Sequence, residues 1–175
     1  MDKKLDIVYF AKVKPNGIIP AKRSEDAGYD AYACFDGDYF VILPLQSKLV
    51  PLGISGAFDK KYYIQIEERS STGKLGIKKN SGVIDSGYRG EYGVIIFNSN
   101  SVPLIISKVD SPPKTIDVDG NTFETKNAII YPAKKAICEL VFHIVPELEV
   151  EEVSYDELLG FKSERGTGGF GSSGK

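Results

Sequence analysis

The amino-acid sequence predicts an all-β domain of the sandwich or barrel type. Short segments rich in β-branched and aromatic residues recur along the chain, and turn-forming Gly and Pro residues separate them. Residues 62–67 (Tyr-Tyr-Ile-Gln-Ile-Glu) alternate between the two faces of a strand, as expected when one face is buried. Short strands at such regular spacing favour a sandwich or barrel over a sheet built from βαβ units.

The composition excludes several classes of protein. A chain of 175 residues fits one domain, with or without a tail. Lys and Arg (22) nearly balance Asp and Glu (24), so we expect no nucleic-acid partner. No apolar run approaches the roughly 18 residues of a membrane helix, so we expect no membrane partner. The single histidine, His143, argues against a zinc site or a Ser-His-Asp triad, and Cys34 and Cys138 are predicted to be reduced core thiols.

The apolar segments and the residues between them place the strands. We expect strands over residues 5–13, 39–45, 48–54, 62–67, 92–97 and 136–145, and a last short strand over residues 148–153. Ser154 and Glu157 have the spacing of a capping box, which predicts a short helix through Leu159.

Residues 82–91 (Gly-Val-Ile-Asp-Ser-Gly-Tyr-Arg-Gly-Glu) are the stretch around which the rest of the chain is organised. They predict a β-hairpin that presents the Asp85 carboxylate and the Tyr88 ring beside glycine-exposed backbone. Such a hairpin would hold a flat ligand by main-chain hydrogen bonds and place a base next to it. The alternative is an Asp-Ser-Gly turn with a solvated Asp85.

Two further stretches have polar residues suited to a charged ligand. Arg69, Ser70 and Ser71 follow the strand over residues 62–67, where a short helix would offer free amides and hydroxyls to an anion. The spacing is not that of a Walker A loop. Asp30 follows the turn at residues 24–28 and either faces a ligand or caps a backbone amide.

The C-terminal segment, residues 165–175, cannot pack as a core element because five of its eleven residues are Gly. It is either a flexible linker or a tail that wraps phosphates with backbone amides, hydroxyls and Arg165. Its single Arg and its single Phe, Phe170, favour the second interpretation, since a passive linker needs neither.

Residues 99–128 differ in character from the segments around them. They contain Pro103, Pro112, Pro113 and a turn at Asp119-Gly120, and we interpret them as an inserted hairpin arm. A calcium loop is the weaker alternative, because Ala128 stands where the twelfth-position Glu would be.

Taken in order, five stretches resemble the motifs of the homotrimeric deoxyuridine triphosphatases (dUTPases): residues 27–30, 69–71, 82–90, 137–140 and 165–174. The resemblance spans nearly the whole chain apart from the arm. It implies a jelly-roll-like β-barrel (the β-clip fold), with a barrel domain of residues 1–160 and an active-site-closing tail of residues 161–175. It also implies a homotrimer with shared active sites. The reaction would convert dUTP to dUMP and pyrophosphate with Mg²⁺, which limits uracil incorporation into DNA and supplies dUMP for dTMP synthesis.

The resemblance also assigns roles to residues. Asp85 would activate the attacking water, Tyr88 would lie under the deoxyribose, and Asp30 would contact Mg²⁺ through water. The remaining residues implied in substrate binding are Asn80, Gly82, Val83, Ile84 and Gly93 around the nucleoside, Arg69, Ser70 and Ser71 at the inner phosphates, Arg165, Gly171, Ser172 and Ser173 at the γ-phosphate, and Phe170 stacked on uracil.

Two features depart from the family pattern. Glu139 stands where the family usually has Gln, and Ala136 where it has Arg, so Glu139 is left out of the predicted site. The arm is longer than compact members need, and some phage-encoded members use inserts at this place for protein recognition, so a regulatory protein partner at residues 99–128 is a second expectation. A dCTP deaminase is the rival enzyme, but residues 92–97 contain no carboxylate for that chemistry.

We expect a cytoplasmic protein, or one in the host cytoplasm if a phage encodes it.

Overall fold

Strands form most of the regular structure in residues 7–80 and 82–169, which are the residues that the computed structural model describes. The all-β prediction is therefore confirmed. The strands are β1 (Tyr9–Lys12), β2 (Gly28–Ala31), β3 (Tyr39–Ile42), β4 (Ser47–Pro51), β5 (Ile54–Ala57), β6 (Tyr62–Glu67), β7 (Ile77–Lys79), β8 (Val83–Asp85), β9 (Gly93–Asn98), β10 (Leu104–Ser107), β11 (Thr115–Val118), β12 (Asn121–Glu124), β13 (Ile129–Pro132) and β14 (Cys138–Ile144). The helices are α1 (Ser70–Gly73) and α2 (Tyr155–Leu159), with a 3-10 turn over Thr125–Asn127.

Three sheets of three or four strands enclose the core. The largest has the order β2-β14-β6-β8 and is antiparallel throughout. A second has the order β4-β9-β7, and a third the order β13-β10-β3, in which β10 and β13 run parallel. Two-strand pairs, β1 with β5 and β11 with β12, complete the architecture.

The core lies between the inner faces of these sheets. In β9 the side chains of Val94 and Ile96 are buried while that of Ile95 points outward, as the two-residue period of a strand requires. Leu104 and Ile106 of β10 are fully buried, so this strand belongs to the centre of the barrel.

Part of the predicted arm is therefore core. Residues 99–128 do not form a single inserted arm, because Leu104–Ser107 is a buried strand between β3 and β13. The hairpin itself is β11–β12, with Asp119 (φ +52°) and Gly120 (φ +77°) at its turn. Ile116 is buried against Val41 and Ile105, which fixes the hairpin on the outer face of the third sheet.

Two other strand predictions need correction. The expected strand over residues 48–54 ends at Pro51, and the chain restarts as β5 in a different sheet. Gly53 makes this change of direction with φ +67°, where an added Cβ would lie 2.3 Å from the Cys34 Sγ. The expected strand over residues 148–153 is absent, and Leu148 and Val150 are 80% and 96% exposed.

Both cysteines are free and buried, as predicted. Burial raises the pKa of the Cys138 thiol to about 12, and it also raises the pKa of Cys34. The Cys34 thiol donates to Asn16 Oδ1 at 3.2 Å. Neither thiol is therefore an available nucleophile at neutral pH.

The chain divides into two units, Met1–Val145 and Pro146–Lys175. In the second unit Ser154 Oγ accepts a hydrogen bond from the Glu157 amide at 3.2 Å, so the predicted helix cap is confirmed. The boundary predicted at residues 160 and 161 stays a prediction. Across residues 7–80 and 82–169, no helix has the length and apolar character needed to cross a membrane.

Candidate active site

The stretch over residues 82–91 is a strand followed by an ordered crossing turn, so the hairpin prediction is wrong in detail. β8 ends at Asp85, and the Tyr88 amide donates to the Asp85 carbonyl at 3.0 Å. β8 pairs with β6, whereas the next strand, β9, pairs with β4 and β7 in another sheet. The chain crosses between sheets because Tyr92, 1% exposed, enters the core and its amide donates to the Ile54 carbonyl at 2.7 Å.

Arg89 holds this crossing turn in place. Its Nη1 donates to the carbonyls of Ser86 (2.5 Å), Tyr88 (3.1 Å) and Gly56 (3.4 Å). The Arg89 carbonyl in turn accepts from Ser55 Oγ at 3.0 Å. The Arg89 guanidinium thus binds two carbonyls within the turn and connects the turn to β5. Sequence analysis missed this role, because the carbonyls that Arg89 binds carry no residue-type signal.

Glu91 is a second support that the sequence did not indicate. Its Oε1 accepts from the Gly53 amide at 3.0 Å and lies 3.8 Å from Lys14 Nζ. It thereby ties the end of the crossing turn to the bend between β4 and β5.

The Tyr88 ring is placed by three neighbours. It stacks on Tyr92 with a centroid distance of 6.1 Å and an interplanar angle of 18°. Its Oη donates to the Glu91 carbonyl at 3.2 Å. An added Cβ at Gly90 would lie 2.3 Å from the Tyr88 Oη, so position 90 has no room for a side chain while the ring stays there. The ring is 49% exposed, which leaves it available to a ligand.

A cleft of about 600 Å³ opens beside this ring and collects most of the predicted nucleoside site. The predicted residues that line it are Asn80, Gly82, Val83, Ile84, Asp85, Tyr88 and Gly93. Leu49 and Ile95, opposite each other in β4 and β9, give it an apolar wall. Asn80 is anchored there, since its amide donates to the Ile95 carbonyl at 2.8 Å and its Nδ2 to Ser47 Oγ at 3.0 Å. We call this the nucleoside cleft.

Arg69 and Asp30 lie in a second cleft, of about 570 Å³. Arg69 Nε is 3.1 Å from Asp30 Oδ1 and 3.7 Å from Glu139 Oε1. Arg69 Nη1 donates to the Ala136 carbonyl at 3.3 Å. Glu139, left out of the predicted site, is therefore part of the arrangement, and its direct pairing with Asp30 across β14 and β2 explains why. We call this the phosphate cleft.

Ser70 and Ser71 are exposed in the first turn of α1, and Arg69 is its N-cap without a side-chain cap bond. The predicted helix is thus present, but at four residues it adds little dipole of its own. Their hydroxyls remain candidates for a ligand near Arg69.

The two clefts are far apart within one chain. Asp85 is opposite Tyr63 of β6, and Asp30 is opposite Glu139, which is opposite Glu67 of the same β6. Three strand spacings and an offset of four residues put Asp85 and Asp30 roughly 20 Å apart. The two carboxylates of one chain therefore cannot contact the same phosphate group.

The acidic residues of the phosphate cleft suit a hydrated Mg²⁺ ion that is bound to the phosphates of a ligand. The carboxylates of Asp30 and Glu139 are hard oxygen ligands, which Mg²⁺ prefers. Within residues 7–80 and 82–169 no group of three or more His, Cys, Asp or Glu side chains could hold a metal ion. Water and phosphate oxygens would thus have to complete the coordination, as is usual for this ion.

The predicted tail residues belong to the second unit. Arg165 Nε donates to the Gly168 carbonyl at 2.7 Å within the second unit. Phe170, Gly171, Ser172 and Ser173 lie outside the described residues.

Comparison with known proteins places this chain in one family. The family model for dUTPase matches residues 14–111. The dUTP nucleotidohydrolase of Nautilia profundicola is 32% identical, over 94% of this chain and 96% of its own. The human mitochondrial dUTP nucleotidohydrolase is 30% identical, over 95% of this chain and 54% of its own. The Pol polyprotein of caprine arthritis encephalitis virus is 36% identical over 61% of this chain, which spans only 9% of that polyprotein. The chain belongs to the dUTPase family.

Solved structures support the fold. The dUTPase of Staphylococcus bacteriophage 80alpha, solved with dUpNHpp, superposes with a TM-score of 0.71 at 20% identity, over 97% of this chain and 99% of the other. The dUTPase of EIAV superposes with a TM-score of 0.58 at 19% identity, over 86% of this chain and 98% of the other. The predictions of the family and of a jelly-roll-like barrel are therefore confirmed.

Replacing Arg89 should loosen the crossing turn. In Arg89→Met the carbonyls of Ser86, Tyr88 and Gly56 lose their shared donor, so we expect the amides of residues 86–91 to exchange about five- to tenfold faster, equivalent to about 1 kcal/mol. Hydrogen–deuterium exchange measured by mass spectrometry or NMR tests this.

Arg23→Met is the matched control, because Arg23 is 89% exposed and, within the part of the chain that the structure describes, forms its ion pair with Asp26. It should leave exchange at residues 86–91 unchanged. Equal protection in both variants would show that Arg89 does not hold the turn.

Proposed function

We propose that the protein hydrolyses dUTP to dUMP and pyrophosphate, with Asp85 as the general base. The observation that carries this proposal is the nucleoside cleft, in which the Asp85 carboxylate lies beside the Tyr88 ring and the backbone of Gly82 and Gly93 in a member of the dUTPase family. Asp85 accepts a proton from water as the water oxygen attacks the α-phosphorus. The bond from the α-phosphorus to the α–β bridging oxygen breaks, and pyrophosphate leaves with its electron pair.

Backbone groups are well suited to recognise uracil. The edge of uracil presents an N–H between two carbonyls, and main-chain groups of Gly82 and Gly93, which line the cleft, would pair with it. Cytosine would reverse this pattern at position 4 and at N3, and each mismatched buried hydrogen bond costs about 1–3 kcal/mol. Gly93 also lets the wall close, since an added Cβ would lie 2.8 Å from Leu49 Cδ1. A closed wall disfavours the extra methyl group of thymine.

Tyr88 would select deoxyribose over ribose. Its ring is fixed by Tyr92 and by the Glu91 carbonyl, so it cannot easily withdraw from the sugar. A ring packed against C2′ leaves no space for a 2′-hydroxyl.

The phosphate cleft supplies the opposite end of the site. Arg69, with Ser70 and Ser71, would bind the inner phosphates and stabilise charge that develops on the leaving pyrophosphate. Asp30 would orient a water of the metal shell. Mg²⁺, when bound, neutralises phosphate charge and orients the triphosphate. Arg165, Gly171, Ser172 and Ser173 would close on the γ-phosphate, and Phe170 would cover uracil.

A homotrimer with shared sites fits these distances. Because Asp85 and Asp30 of one chain are roughly 20 Å apart, one nucleotide contacts both residue types only if they come from different chains. The nucleoside cleft of one subunit would face the phosphate cleft of another.

Asp85→Asn should bind nucleotide but hydrolyse it at least about 100-fold more slowly, because the amide cannot accept the proton. Pyrophosphate release from dUTP gives the rate, and calorimetry with dUpNHpp gives the affinity. Asp38→Asn, which changes an exposed acid on another loop, is the control and should behave as wild type. Near-normal release from Asp85→Asn would identify the wrong base, and ammonia released from dCTP by the wild type would indicate a deaminase.

Mixed assemblies should test the shared site. Asp85→Asn and Arg69→Met are each expected to be inactive alone. If each site takes Asp85 and Arg69 from different chains, co-refolding the two variants in equal amounts should restore about a quarter of wild-type activity. About half of the sites receive an intact Asp85, and about half of those also receive an intact Arg69. The two variants folded separately and then mixed briefly are the control. Zero activity after co-refolding would place both residues in one chain.

The hairpin β11–β12 remains our candidate contact for a regulatory protein partner. It projects mostly exposed polar side chains while Ile116 anchors it, so a partner could bind without disturbing the clefts. The dUTPase of phage phi11 of S. aureus has a species-specific insert. Serine substitutions at Asp117, Asn121 and Glu124 should abolish capture of the partner in a pull-down and leave dUTP hydrolysis intact. Unchanged capture would exclude the hairpin as the contact.

A further inference from the structure

Glu139 is built into the phosphate cleft rather than left at its edge. Its Oε1 lies 3.7 Å from Arg69 Nε, and it is paired directly with Asp30 across the two strands. An added Cβ at Gly28 would lie 2.9 Å from the Glu139 Cβ and 3.0 Å from its Oε2. The absence of a side chain at position 28 therefore makes the space that the Glu139 carboxylate occupies.

Arg69 is held by charge more than by directed hydrogen bonds. Its Nε is buried and, among the described residues, has no hydrogen-bond partner, although Asp30 Oδ1 is 3.1 Å away. One guanidinium thus faces two carboxylates, and this group of three carries a net charge of −1. Such a guanidinium can turn to a phosphate without breaking an aligned pair of bonds to a carboxylate, although it would give up the 3.3 Å hydrogen bond from Nη1 to the Ala136 carbonyl.

The cleft as a whole has no surplus of positive charge. Its charged lining consists of Lys22, Arg23 and Arg69 against Asp26, Asp30 and Glu139. Arg23 is already engaged by Asp26, with Nε–Oδ2 and Nη2–Oδ1 distances of 3.0 and 3.1 Å. When Arg69 pairs with a phosphate, Asp30 and Glu139 are left facing a polyanion at close range. This repulsion falls when the phosphates carry a divalent cation.

We propose that Glu139 is a specificity-determining residue that makes the phosphate cleft select Mg²⁺-complexed nucleotide over metal-free nucleotide. This inference rests on the proposed function. Without the Glu139 charge, the cleft lining would carry three positive charges against two negative ones, so the second carboxylate removes the surplus that would attract metal-free phosphates. Gln at this position keeps the shape and removes the charge.

The affinity of the non-hydrolysable nucleotide, with and without metal, tests the proposal. Calorimetry gives the Kd of dUpNHpp in excess Mg²⁺ and in EDTA for the wild-type protein and Glu139→Gln. We expect the ratio of the EDTA value to the Mg²⁺ value to fall about tenfold in Glu139→Gln, because one negative charge next to the phosphates is removed. The change should come mainly from tighter binding in EDTA.

Glu67→Gln is the matched control. Glu67 is opposite Glu139 on the neighbouring strand, has similar exposure, and pairs with Lys79 instead of Arg69. It should leave the ratio unchanged. Glu139→Asp keeps the charge and should retain most of the wild-type ratio.

Three results would overturn the inference. They are an unchanged ratio in Glu139→Gln, an equal fall in Glu67→Gln, or a fall caused by weaker binding in Mg²⁺. If Glu139→Gln fails to assemble, Glu139→Ser, which adds no bulk beside Gly28, takes its place with the same expected fall. Failure of the proposed function is distinguishable, since the wild type would then bind dUpNHpp in neither condition and release no pyrophosphate from dUTP.

Discussion

The pairing of β6 with both β14 and β8 is the constraint on which the rest of the structure depends. It fixes the order β2-β14-β6-β8 and with it the distance between the two acidic edges of the sheet. Asp85 lies on one outer strand, and Asp30 faces Glu139 at the other. Since backbone hydrogen bonds set strand spacing, no side-chain movement within one chain can bring these edges together. The sheet itself therefore keeps Asp85 and the pair of Asp30 and Glu139 at separate edges of one chain.

The two edges of the sheet differ in polarity and charge. The nucleoside cleft has an apolar wall with one carboxylate, so it can recognise a base by backbone groups and shape. The phosphate cleft has alternating charges with Arg69 between two acids. A nucleotide has a flat base at one end and charged phosphates at the other. Each edge therefore suits one end of the nucleotide that we propose as the substrate.

Much of this arrangement could be predicted from the sequence. The parts that could not be predicted were hidden for physical reasons. The alternation in β6, the Asp119-Gly120 turn and the Ser154 cap are local patterns, and each was found where it was expected. The crossing after Asp85 was mistaken for a hairpin because strand partners are a tertiary property. The strand β10 was placed in the arm because four buried residues between prolines give no period that distinguishes them from a loop.

The site shows the same division. The predicted residues of the nucleoside cleft lie within residues 80–93, so local sequence could bring them together, whereas Leu49 of its apolar wall comes from another strand. Arg89 and Glu91 bind backbone groups of distant residues, Gly56 and Gly53, and such contacts depend on the tertiary structure. The sequence alone excludes Glu139 from the predicted site because of its charge. The pairing of Glu139 with Asp30 across the two strands shows that it lies in the phosphate cleft.

The contact between Gly90 and Tyr88 bears on how this cleft could be redesigned or could evolve. Gly90 already lacks a side chain, so no smaller residue there can enlarge the cleft beside Tyr88. A smaller residue at position 88 could do so. That change would uncover Tyr92, whose buried hydroxyl has no hydrogen-bond partner among the described residues. A change at position 88 would therefore come with a weakened core, which couples the shape of this cleft to the stability of the fold.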